Sequence, residues 1–191
     1  MRIPRYLRPP SAGGRQSAVL ILFAEGPQGP DLLYIQRSEG LRHHPGQPAF
    51  PGGGTEETDA SPEETALREA VEETGLVPSG VEVVGRLPEL YVLRSDNRVV
   101  PVLAWWRDPS EVRPTDLTEV AAVERIPVAT LADPGNRLML AGPSGYLGPA
   151  FDVGPMLIWG FTGMLTDRLL ALAGWERSWD TAITRGLPEG A

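Results

Sequence analysis

The rhythm of hydrophobic and polar positions changes several times along the chain, and each rhythm predicts a different element. Residues 17–24 (SAVLILFA) are nearly all apolar over a strand-like length, which predicts a β-strand buried on both faces. After the turn Gly26-Pro27-Gln28-Gly29-Pro30, residues 31–37 (DLLYIQR) predict a second strand. Residues 41–54, rich in His, Pro and Gly, read as a long loop. Residues 81–93 and 98–106 read as strands, interrupted by Pro88 and by the polar run Arg94-Ser95-Asp96-Asn97. Residues 128–132 predict a short helix, and residues 155–173 a long one carrying Met164, Leu165, Leu169, Leu170 and Leu172. Residues 1–15, with their Pro, Gly and Arg, read as a loose N-terminal arm.

The strongest helical signal covers residues 61–74. Ser61 stands at the N-cap, Pro62 at the first helical position and Glu64 two residues further, a capping-box start, and Gly75 suits the C-terminal cap. At about 100° per residue, Leu67, Val71 and Thr74 fall on one side, expected to face the core. Glu69, Glu72 and Glu73 are spaced i, i+3, i+4 and are expected to share the opposite side. Strands and helices alternate irregularly, which predicts an α/β fold in which helices cover both sides of a mixed sheet. No Pro/Gly linker separates two cores, so residues 1–191 are expected to form a single domain.

Composition narrows the function. The 191 residues carry a net charge of −8, and all 17 basic residues are arginine. That balance argues against a general nucleic-acid binder, which needs a basic patch. There is no cysteine, so thiolate metal sites and cysteine nucleophiles are excluded. No apolar run approaches the roughly 20 residues of a membrane span, and the N-terminus shows no secretory signal, so a soluble cytoplasmic protein is expected. Nothing in the sequence selects an oligomeric state.

Three like charges on one helical face repel by a few tenths of a kcal/mol per pair, and a cation between them removes that penalty. Oxygen-only ligation suits a hard divalent ion, Mg²⁺ or Mn²⁺, which also binds substrate phosphates. Arg68 can reach Glu72 or Glu64 and so orient a carboxylate or stabilise phosphate charge. An acidic helix face is also how an ordinary solvated helix looks. The glycine-rich loop leading into this one, Phe50-Pro51-Gly52-Gly53-Gly54, turns the balance, because it lets backbone approach a ligand closely.

These residues resemble the Nudix box, Gly-x5-Glu-x7-Arg-Glu-U-x-Glu-Glu-x-Gly-U, where U is a bulky apolar residue. Arg68-Glu69-Ala70-Val71-Glu72-Glu73-Thr74-Gly75-Leu76 matches its second half, with the small Ala70 at the first U position. The first half departs from the pattern. Counted from Gly53, the acidic residue at the expected offset is Asp59, and eight residues rather than seven separate it from Arg68. That extra residue resembles the coenzyme A pyrophosphatase branch of the family. So do Arg37-Ser38, Leu41, His44, Gly46-Gln47 and Phe50-Pro51-Gly52-Gly53 upstream, and Val99-Val100-Pro101-Val102, Glu119-Val120 and Ile158-Trp159-Gly160-Phe161-Thr162 downstream.

The resemblance implies a Nudix-type α/β/α sandwich and hydrolysis of coenzyme A or its thioesters at the pyrophosphate bond. By the same resemblance Glu69 and Glu73 become the principal ligands of Mg²⁺ or Mn²⁺. Glu72 becomes a third ligand or the group handling the attacking water's proton, and Glu119 a candidate general base. Arg37, Arg42 and His44 become candidate contacts to substrate phosphates, beside Gly53; His43 is expected on the surface. Trp105, Trp106, Trp159 and Trp175 are expected in the core or an interface rather than stacked on a base. The rival readings are a Nudix enzyme for another substrate, such as ADP-ribose, a dinucleotide or a nucleoside triphosphate, and a binding module of the same fold without catalysis.

Overall fold

A computed structural model describes residues 7–41 and 43–188. At its centre lies β1 (Arg15–Gly26), whose apolar run alternates between two packed layers. Ala18, Leu20, Leu22 and Ala24 enter one core with Ala66, Ala70 and Trp106. Ile21, with Val19 and Phe23 packed beside it, enters the other with Tyr34, Phe50 and Leu165. A strand covered on both faces needs no polar position, which is why its sequence shows no alternation.

β2 (Gly29–Arg37) returns antiparallel to β1. β7 (Asn97–Trp106) runs parallel to β1 on the other side, from Asn97 opposite Arg15 to Trp106 opposite Ala24. β3 (Pro48–Ala49) and β8 (Val120–Pro127) pair with β2, β4 (Gly52–Gly54) with β1, and β5 (Val81–Arg86) and β6 (Leu90–Val92) with β7. Together they make one mixed eight-stranded sheet. The helix α1 (Pro62–Thr74) covers one face, against β1, β4 and β7. The other face is covered by the short helix α2 (Val128–Leu131), by α3 (Gly160–Leu172) and by a second sheet. That sheet is ordered β11 (Leu157–Ile158), β10 (Leu147–Asp152), β9 (Arg137–Ala141), β12 (Thr184–Gly186). The buried hydroxyls of Tyr34 and Thr166, 2.9 Å apart, tie α3 to β2. The architecture is the α/β/α sandwich with a mixed sheet that the sequence implied.

Several expectations need correction. The long loop at 41–54 contains the two short strands β3 and β4. The helix expected from residue 155 starts only at Gly160, because Leu157 and Ile158 are drawn into pairing with Asp152 and Phe151. The run 81–93 splits into β5 and β6 around Pro88, which has no N–H to give a ladder. The arm is fastened where it is described: Leu7 is buried in the core and Arg15 is already in β1. Residues 1–6 lie outside the described residues. β8 and the second sheet were not anticipated. Among the described residues no helix is long and apolar enough to cross a membrane.

Candidate active site

The helix α1 is defined at both ends by its own sequence. The Ser61 side chain accepts the Glu64 N–H at 3.2 Å, and the Glu64 carboxylate reaches back to the Ala60 N–H at 2.8 Å. The return contact falls one residue before the N-cap, a variation on the box. Gly75 ends the helix in the left-handed conformation (φ 69°), its N–H bonded to the Val71 carbonyl. Residues 113–115 then cover the exposed carbonyls: the Arg113 N–H bonds Thr74 O at 3.0 Å, the Thr115 N–H bonds Glu73 O at 3.3 Å, and the Thr115 hydroxyl bonds Glu72 O. The last turn, which carries Glu72 and Glu73, is thereby fixed in place.

The helix buries only part of the side that its sequence suggested: Thr74 is fully buried and Leu67 packs against the core from a half-buried position. Its buried positions are Thr65, Ala66, Ala70, Glu73 and Thr74, while Leu67 and Val71 are only half-buried. Close approach to β1 and to the glycines of β4 demands small side chains, so Ala66 and Ala70 face the sheet and Glu73 enters with them. The three glutamates share one side of the helix, as i, i+3 and i+4 positions must, but not one environment. Glu73 is 8% exposed, Glu69 half-buried, and Glu72 turns to solvent.

Two of them meet the glycine strand. The Glu73 carboxylate accepts the Gly52 N–H at 2.9 Å. Glu69 lies so close to Gly53 that a Cβ at residue 53 would overlap its carboxylate. Burial pushes the Glu73 carboxyl up to about 8, against the opposing effect of the Gly52 N–H. Burial also raises Glu69, with Arg68 opposing it. Two crowded carboxylates held out of water are what a divalent cation relieves. Among the described residues no cluster of three or more acidic or histidine side chains is gathered for a metal. The fit is therefore to a hard ion held by one or two carboxylates, with the other positions left to water and phosphate oxygens, as Mg²⁺ prefers.

Arg68 organises the surroundings. Its guanidinium bonds Asp59 through Nε and Nη2, both at 3.1 Å, Glu69 at 3.2 Å, Glu72 at 2.9 Å and the Gly54 carbonyl at 2.8 Å. The planar fork thus ties helix, glycine strand and connecting loop together. Asp59 also accepts the Glu56 N–H and the Thr65 hydroxyl. The Arg68 hydrogen bonds, more than any other contact, hold its carboxyl down to about 2.

Comparison with known proteins places this geometry. The model of the NUDIX domain matches residues 14–143, more than half of the chain. The chain belongs to the Nudix family. It is 46% identical over 121 residues to the uncharacterized Nudix hydrolase NudL of Escherichia coli (strain K12) and equally to that of Shigella boydii serotype 4. The match takes in 60% of this chain, and the chain spans 58% of the length of those relatives. The crystal structure of RenU, a Nudix hydrolase from M. smegmatis, is similar in fold, with a TM-score of 0.56 at 18% identity over 85% of this chain and 88% of that one. The Ap4A hydrolase of C. elegans is similar with a TM-score of 0.50 at 18% identity, over 59% and 80%.

Within the Nudix box the irregular first half now has a geometry: the extra residue lets Asp59, not position 60, reach Arg68. Arg37 stands at the end of β2 with its buried Nε unpartnered among the described residues, close enough to Glu73 to lower its pKa. With His44 and the glycines of β4 it lines a cavity of about 970 Å³. His44 is held in the left-handed conformation (φ 54°), its Nδ1 2.9 Å from Gln47 Oε1, and burial lowers its pKa. His43 is exposed at the same cavity. Arg42 lies outside the described residues. Trp106 is buried in the core, whereas Trp159 lines the cavity.

Glu119 is exposed just before β8, within electrostatic reach of Glu73. Its backbone is held by Ser38, whose N–H bonds Glu119 O at 2.9 Å and whose hydroxyl bonds Leu117 O at 2.6 Å. Sequence reasoning missed Ser38 and Thr115 as supports of the site. Both act across long stretches of chain, and only the Arg37-Ser38 resemblance hinted at the first.

Proposed function

We propose that the protein hydrolyses the pyrophosphate bond of coenzyme A or its thioesters, giving adenosine 3′,5′-bisphosphate and 4′-phosphopantetheine or its acyl form. The observation that carries the hydrolase reading is the buried Glu73, bonded to the Gly52 N–H, with Glu69 pressed against Gly53. A divalent ion bound there lowers the pKa of an attacking water and neutralises charge on the phosphoryl oxygens. Glu69 and Glu73 hold that ion. Glu72, 2.9 Å from Arg68, is available as a further ligand through water or as a proton acceptor. Arg68, fixed by Asp59, keeps Glu69 and Glu72 oriented. Glu119 is the candidate base, since it stands in an exposed loop within electrostatic reach of Glu73. Arg37 and His44 meet the substrate phosphates, Arg37 bringing an unpartnered donor.

The coenzyme A assignment is supported by the upstream residues Arg37-Ser38, His44, Gly46-Gln47 and Phe50-Pro51-Gly52-Gly53, which the fold gathers beside the glycine strand and its cavity. A substrate panel with Mg²⁺ or Mn²⁺ tests it: coenzyme A, ADP-ribose, dinucleotides and nucleoside triphosphates, with products identified by mass after reaction in ¹⁸O-water. Coenzyme A is expected to be cleaved fastest. Fast ADP-ribose cleavage beside negligible coenzyme A cleavage would sink the assignment, and no cleavage of any compound would favour a binding module.

A further inference from the structure

The match to the NUDIX domain ends at residue 143, yet the cavity beside the glycine strand is walled well beyond that point. Tyr146, Leu147, Trp159, Phe161, Met164 and Leu187, from the second sheet and α3, line it opposite the residues of the first sheet. Trp159, Tyr146 and Leu187 also pack on the small core of that sheet, so this wall is backed by fixed structure. From the first sheet, Leu93 reaches the same cavity at the turn between β6 and β7. Leu93 is 77% exposed and Leu147 59% exposed. The cavity thus presents apolar side chains to solvent from both sheets.

We infer that this wall is the subsite for the acyl arm of a coenzyme A thioester, which makes the second sheet the specificity element. The inference rests on the coenzyme A reading above. Glu69 and Glu73 do not line the cavity, but Gly52 and Gly53 of β4, which they meet, do. A substrate whose pyrophosphate lies over Gly52 and Gly53, against Arg37, extends its remaining arm into the cavity. The pantetheine amides of free coenzyme A would leave much of the apolar wall uncovered, whereas a chain of several methylenes covers it. Complete burial of one methylene corresponds to about a fourfold gain in binding, so even partial burial of a short chain is measurable.

The test compares free, acetyl-, hexanoyl- and decanoyl-coenzyme A. In the wild type with Mg²⁺, kcat/KM is expected to rise at least about tenfold from the acetyl to the hexanoyl compound. In the double variant Leu93→Ser/Leu147→Ser, with its fold checked by circular dichroism, the hexanoyl-to-free ratio should fall by a similar factor. Calorimetry of the metal-free protein gives a readout independent of turnover: decanoyl-coenzyme A should bind more tightly than coenzyme A, with a more negative heat-capacity change. If free coenzyme A is cleaved but chain length has no effect, the acyl subsite is overturned and the proposed function stands. An unchanged ratio in the folded double variant also overturns it. If no coenzyme A compound is either cleaved or bound, the underlying reading fails instead.

Discussion

Arg68 grips Asp59 with two nitrogens, Nε to Oδ1 and Nη2 to Oδ2, each at 3.1 Å, and this pair joins the loop before α1 to the helix that carries the glutamates. Asp59 is 5% exposed at its side chain. Its carboxyl is held at about 2, well below the ordinary value near 4, so it stabilises the fold above its unfolded pKa and loses that contribution as the pH falls towards 2. Asp59→Asn should remove this part of the acid sensitivity, seen as a shallower fall of Tm between about pH 4 and 2. It should also lower kcat, because Arg68 is released from its orientation towards Glu69 and Glu72. A wild-type acid profile with full activity in the variant would show that the pair is dispensable.

Glu73 has the opposite sign. Its folded pKa, about 8, lies above the unfolded value near 4.5, so its contribution is fully present below pH 4.5 and is lost as the pH rises towards 8. Glu73→Gln should therefore raise the unfolding free energy of the metal-free protein at pH 8, by an amount on the order of a few kcal/mol at most and seen as a higher Tm, while abolishing turnover. Mg²⁺ should raise the Tm of the wild type at pH 8 and have a much smaller effect on the variant. Thermal melts with EDTA and with Mg²⁺ settle both points; equal Mg²⁺ responses would remove Glu73 from the ligand set.

Glu69→Gln is expected to abolish turnover with Tm within a few degrees of wild type, since Glu69 is only half-buried. Undiminished kcat in this variant would refute the assignment of Glu69 as a ligand.

Gly53→Ala should separate activity from stability. The new Cβ meets the far end of the Glu69 side chain, which can swing away, so the fold survives with little change in Tm. The displaced carboxylate should cost at least about tenfold in kcat/KM, the scale of a lost charged contact. Activity at the wild-type level would mean that Glu69 works from another position.

Arg37→Ala should raise KM about 10- to 100-fold with a smaller effect on kcat, as expected for one charge-assisted phosphate contact. Arg37→Lys should restore only part of the loss, because an ammonium lacks the planar fork. Steady-state kinetics on the preferred substrate decide this, and an unchanged KM would return Arg37 to a surface charge at the end of a strand.

Residues close in the chain made much of this molecule legible. The caps at Ser61 and Gly75, the uniform apolar run of β1, the strands 31–37 and 98–106 and the glutamates of the box all follow from short-range periodicity and backbone preference, which a sequence states directly. The same reasoning fell short where size mattered more than hydrophobicity: of Leu67, Val71 and Thr74 only Thr74 is fully buried, while Ala66 and Ala70 fit against β1.

What only the tertiary structure decided is which carboxylate enters the core and what holds it there. Glu73 and Glu72 are neighbours of identical chemistry, yet one meets the Gly52 N–H and the other faces water, because β4 passes on one side of the helix alone. Ser38 on Leu117 and Thr115 on Glu72 are contacts 79 and 43 residues apart, and no local pattern encodes them. The second sheet was hidden for the same reason, since its strands are short and are joined by pairing between distant segments. The sequence by itself determined the helix of the Nudix box and its caps; the packing of β4, of residues 113–119 and of the second sheet determined which of its glutamates are buried and the shape of the space beside them.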